Sequence, residues 1–186
     1  MFSFSKALGA AIICAVFAAP SVACAQVEST PAPMPSKPNF SSLRYLVGTW
    51  SCSTKSSRRP KAYPYTMTFT MDPGGWWRDA KTVTPGMAWF PHAATDYDKY
   101  TYDPSAKRWV DVSYGDYGSY GLATSAGPSA TRIVWHAYGF VPAEGIKSMS
   151  DTTFVKVSNT KTTEDMWFVE SGGRKVTVHS VCTKRL

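Results

Sequence analysis

From Tyr63 to Met71 the chain alternates: Tyr63, Tyr65, Met67, Phe69 and Met71 against Pro64, Thr66, Thr68 and Thr70. A period of two sustained over that length describes a strand with one buried face. The "DPGG" that follows, at 72–75, supplies turn chemistry, because glycine tolerates the positive φ of a tight hairpin turn, and "WWRDAKTVT" begins the return. The unit recurs down the chain. "DYDKYTYD" and "RWVDVSY" flank "PSAK", and "GSYGLATS" and "TRIVWHAY" flank "AGPSA". "SDTTFVKVS", "KTTEDMWFVE" and "KVTVHSVCTK" are separated by Asn159 and by "SGGR". With a first strand at 48–54, the count reaches about ten, and no segment holds a helical period. So many successive antiparallel strands must manage their edges, and closure into an up-and-down barrel removes them. A sandwich with Greek-key crossovers is the alternative, but the connections are mostly of hairpin length. The expected fold is therefore all-β, an up-and-down antiparallel barrel. One long loop interrupts it, "PGMAWFPHAAT" at 85–95, which either lids an opening or packs on the rim. Packing is the simpler reading.

Residues 1–25 read as a signal peptide: Lys6, an apolar run from Ala7 to Ala19 too short to span a bilayer, and Ala23-Cys24-Ala25 before Gln26. Ser21-Val22-Ala23-Cys24 also resembles a bacterial lipoprotein box, departing from it at Ser21, so a lipid anchor at Cys24 is the second reading. Residues 26–39, with "VESTPAPMPSKPN", form a proline-rich linker. Residues 40–186 then make one domain. Of four cysteines, Cys14 and Cys24 fall in the targeting segment, which leaves Cys52 and Cys182. An even pair in an oxidising compartment predicts one disulfide and a periplasmic or secreted location, with two free thiols as the alternative.

The chain carries 20 basic residues against 13 acidic, and only Lys6 leaves with the targeting segment. Lys55, Arg58, Arg59 and Lys61 cluster among serines before Pro60, which reads as a solvated loop. No nucleic-acid partner is expected. A weak contact with an anionic envelope surface is the remaining use for this charge.

Gly48-x-Trp50 in "LRYLVGTWSCS" (43–53), followed by some ten short strands, resembles the lipocalin and calycin-like barrels. "YTYDPSAKRWV" and "SAGPSATRIVWHAYG" are similar to exported bacterial lipocalin-like domains of unknown function. The resemblance implies that Trp50 plugs the barrel base and that Gly48 lets the chain pass closely there. With Trp50 inward, alternation turns Cys52 inward, and pairing of the last strand with the first brings Cys182 across the seam. A cavity of such a barrel would hold a small apolar or amphipathic ligand. Tyr65, Met67 and Phe69 are the first candidates to line it. Val110, Val112 and Tyr114, and Ile133, Trp135 and Ala137, come from strands whose faces mix. The same residues equally suit a solid core, which would make the protein an envelope interaction module.

No HExxH helix, GxSxG elbow or phosphate-cradling loop is present, so no catalytic residue, metal or cofactor is assigned. Asp96, Asp98 and Asp103 read as a solvated strand end. Glu164 and Asp165 are neighbours on a strand and face opposite ways, so they cannot act as a pair. One branch of these barrels binds haem through a histidine near the C-terminus. Here that position would be His179, but inward Cys182 turns Val178 and Val176 inward and His179 outward. The protein is expected to act as a monomer.

Overall fold

A computed structural model describes residues 33–129, 131–141 and 146–186. The expected signal peptide, Cys24 and the first half of the expected linker, residues 26–32, lie outside the described residues. Eleven strands follow a short 3-10 helix, Ser41–Leu46. They are β1 Gly48–Ser56, β2 Tyr63–Met71, β3 Arg78–Thr84, β4 Ala94–Asp103, β5 Arg108–Gly115 and β6 Tyr120–Ser125. After them come β7 Arg132–Val141, β8 Ile146–Met149, β9 Thr152–Lys156, β10 Lys161–Glu170 and β11 Lys175–Lys184.

Each strand from β1 to β6 pairs antiparallel with the next, β7 pairs with β9, and β9, β10 and β11 lead back to β1. Ten strands thus close an antiparallel barrel. The extra strand, β8, runs on the same edge of β10 as β9, nearer the far end of β10. β8 and β9 are one line interrupted at Ser150 and Asp151, where the Ser150 N–H donates to the Trp167 carbonyl and the Trp167 N–H to Ser150 Oγ. The sequence shows the second half of this line but not the first.

Closure occurs where the cysteines predict it. Cys52 and Cys182 are direct partners in the β1–β11 register, with Cα atoms 4.0 Å apart, and their sulfurs are bonded. Both side chains are buried on the inner face.

The turns follow local chemistry. At 72–75 the Asp72 carboxylate accepts from the Gly74 and Trp77 N–H groups, and Gly75 takes φ 71°, a value costly for any residue with a Cβ. Gly48 has φ 117°, and a Cβ there would lie 3.0 Å from Lys184 Cε. The glycine two residues before Trp50 is thus required by its backbone conformation.

The base of the barrel is solid. The 3-10 helix lies across it with Leu43 and Leu46 buried, and Phe40 and Trp50 join the same core. Trp50 is fully buried, and its indole N–H donates to the Leu46 carbonyl at 2.7 Å. Arg78 donates from Nη1 to the Leu43 carbonyl at 2.7 Å. On the far side Lys184 donates to the Tyr45 carbonyl and stands over the Trp50 ring. These three bonds fasten the helix, whose last carbonyls have no continuing turn to donate N–H groups to them. Above it Phe69 stacks on Tyr100, and Tyr100 packs on Trp135. The gap left beneath this aromatic layer is about 20 Å³, room for one water molecule.

Candidate functional site

Above the aromatic layer the barrel is hollow. A cavity of about 520 Å³ runs from Met67, Tyr100 and Trp135 toward the end where β1 finishes and β4 begins. Alternation sets its wall. From β2 come Tyr63, Tyr65 and Met67, from β3 Thr82 and Thr84, from β4 Asp96 and Asp98, and from β5 Asp111 and Ser113. β10 and β11 supply Glu164, Met166, Phe168, Val178 and Ser180.

Several sequence-selected residues meet here. Tyr65, Met67 and Trp135 line the cavity, as do Tyr114 and Ala137. Phe69 and Ile133 sit lower, against the 3-10 helix. Val110 and Val112 correct the sequence expectation, because neither lines the cavity. The β4–β5 hairpin pairs Asp103 with Arg108 and Tyr102 with Trp109, which turns Trp109, Asp111 and Ser113 inward and the two valines outward. Their apolarity suggested an inner face, but register decides orientation in a sheet.

Asp96 and Asp98 are a second correction. They do not form a solvated strand end; both lie on the cavity wall. Asp103 alone caps a turn, accepting from the Ser105 and Ala106 N–H groups. Asp98 is held deep in the barrel, and burial, then Asp96 and Glu164, push its carboxyl up to about 7. Burial and Asp98 push Asp111 up to about 9. The two sit diagonally on adjacent strands and together retain a proton through neutral pH. Across the cavity Tyr65 donates its hydroxyl to Glu164 Oε2 at 3.0 Å. Burial also raises Glu164, a shift that the Tyr65 bond opposes. Next to this pair Thr54 and Ser180 hydroxyls share a bond of 2.9 Å.

This polar belt is what the sequence reading missed. A signal for it exists: "WVDVS" read from Trp109 as the inward anchor gives Asp111 and Ser113, and "DYDKYTYD" read from Tyr100 gives Asp98 and Asp96. Glu164 and Asp165 do face opposite ways, as expected. Asp165 lies outside, with its carboxylate 2.6 Å from His179 Nδ1. His179 is half exposed and takes no part in the cavity wall. Among the described residues no group of three or more His, Cys, Asp or Glu is placed to hold a metal ion.

The long loop packs on the rim. Trp89 meets Tyr63 edge-on with the Arg59 guanidinium 4.0 Å from its ring, and Phe90 packs on Tyr117. None of its residues lines the cavity. Part of the basic cluster is thereby explained, since Arg59 covers Trp89 and Arg58 pairs with Glu170.

No protein-family model matches the chain, and no curated protein does. Solved structures do. One, "Crystal Structure of Rv2717c from M. tuberculosis", is 12% identical with a TM-score of 0.58, over 79% of this chain and 97% of that one. Another, "Structure of EF1p2_mFAP2b bound to DFHBI", is 12% identical with a TM-score of 0.42, over 77% of this chain and 97% of that one. At such identity the first likeness is one of fold alone, and the second is too loose to carry an argument. The closed antiparallel barrel fits the lipocalin and calycin-like class.

Proposed function

We propose that the protein binds a small amphipathic molecule in the upper half of its barrel. The observation that carries this reading is the cavity of about 520 Å³ standing on a solid base, a volume within the usual range for ligand sites. Its floor is apolar, with Met67, Trp135 and Phe154, and its middle is polar, with Tyr65, Asp98, Asp111 and Glu164. The ligand's apolar part rests on the floor and its polar part meets the belt. A filled interior, which a pure interaction module would have, describes the base only. The disulfide suits an oxidising compartment, and we place the mature protein in the periplasm or outside the cell, after removal of residues 1–25. No helix among the described residues is long and apolar enough to cross a membrane. Haem held by His179 is not favoured, because that ring stands outside the wall.

Titration with the neutral probe N-phenyl-1-naphthylamine tests the reading. Saturable fluorescence enhancement at one site per chain is expected, and Ala123→Trp, which fills the cavity, should abolish it. Absence of saturable binding, or binding indifferent to Ala123→Trp, overturns it.

A further inference from the structure

The chain as a whole is basic, with a net charge of +7, yet its cavity is acidic. Among the described residues four carboxylates line the wall, Asp96, Asp98, Asp111 and Glu164, and no lysine, arginine or histidine does. Arg78, on the inner face, lies below the floor and donates to the Leu43 carbonyl. Burying acids such as Asp98 and Asp111 in a low-dielectric interior without a counter-charge among the described residues is costly, and folded proteins ordinarily pair such groups.

Two of these acids have capacity to spare. Asp98 is deeply buried and makes no side-chain hydrogen bond among the described residues, and what surface it keeps faces the cavity. Asp111 also lines the cavity and makes no side-chain hydrogen bond among the described residues, although its Oδ1 is shut off from solvent. The same cavity wall carries the aromatic residues Tyr63, Tyr100, Tyr120, Trp135, Phe154 and Phe168. Carboxylates set among aromatic rings are the chemistry that recognises an ammonium group carried on an organic body, by charge and by cation–π attraction. A bare metal ion is not suited, since the acids are not grouped as metal ligands.

We propose that the cavity takes an organic cation, its protonated amine set between Asp98, Asp111 and Glu164 and its apolar body on the Met67 and Trp135 floor. This rests on the ligand-binding reading above and names the class of ligand.

Three dansyl probes of matched body and different charge test it on the disulfide-bonded protein. They are dansylcadaverine (cationic), N-pentyl dansylamide (neutral) and 6-(dansylamino)hexanoic acid (anionic). The amine is expected to bind about tenfold or more tighter than the neutral probe, and the acid weakest. In Asp98→Asn and Glu164→Gln the affinity ratio of amine to neutral probe, measured within each variant, should shrink to within about threefold. The neutral or anionic probe binding as tightly as the amine overturns the proposal and leaves the ligand-binding reading standing. A preference for the amine that survives both substitutions also overturns it. If none of the three binds and N-phenyl-1-naphthylamine fails as well, both readings fall.

Discussion

The two halves of the barrel are built from the same strands and serve opposite ends. In the lower half the inward positions carry Trp50, Phe69, Ala80, Tyr100, Trp109 and Ile133, closed over by Leu43 and Leu46. In the upper half, two or four residues along the same strands, they carry Thr54, Tyr65, Thr82, Asp98, Asp111 and Ser113. Large apolar side chains fill their share of the interior. Short polar ones leave space and bring charge. Stability is concentrated at the base, and the wall above it accepts destabilising groups because the base offsets them. If this division holds, substitutions should lower stability below and raise it above.

The largest effect is expected at Trp50. Trp50→Ala removes a fully buried ring and its bond to the Leu46 carbonyl, and should cost about 3–5 kcal/mol in a denaturant melt. A loss below about 1 kcal/mol would show that the base does not depend on its plug.

Opening the seam comes second. The bridge joins residues 130 apart in sequence, and replacing Cys52 and Cys182 together by serine should cost about 2–4 kcal/mol. Thermal melts of the double variant against the parent measure it, and an unchanged midpoint would detach barrel closure from the disulfide.

In the upper half the sign reverses. Asp98 and Asp111 hold protons in the folded barrel that the unfolded chain releases above its ordinary carboxylate range. The folded state therefore binds more protons, and these groups make stability fall as pH rises, from about 4 through about 7 for Asp98 and about 9 for Asp111. The charged groups facing Asp98 are Asp96, Asp111 and Glu164, with the Tyr65 and Tyr100 hydroxyls, and none of them supplies positive charge. Asp98→Asn should raise stability at pH 8 by about 1–2 kcal/mol and flatten the decline between pH 5 and pH 9. A destabilised variant at pH 8 would mean that Asp98 is paired and the belt structural.

Outside the wall little should change. His179→Ala breaks a half-exposed contact with Asp165 and is expected to move stability by no more than about 0.5 kcal/mol. Probe binding should also be unaffected, and a loss of binding would place the site somewhere other than the cavity.

The sequence alone determined every strand but β8, their hairpin order and the seam. Strict alternation in 63–71, turn residues at fixed offsets and the pair Cys52 and Cys182 are local signals, and each is read without knowing what lies across the sheet. It also turned Cys182 in and His179 out, because parity along one regular strand needs only one anchor. The tertiary structure decided what the interior is. Parity does not carry from strand to strand without the turn register, so Val110 and Val112 looked inward by their apolarity while Asp111 and Ser113 held those places. Nor does any local pattern reveal that Asp98, Asp111 and Glu164, drawn from three strands, share one low-dielectric space. Their proximity is a product of closure, and so is the energetic cost that marks them as a site, since a carboxylate becomes expensive only once the barrel has taken its water away.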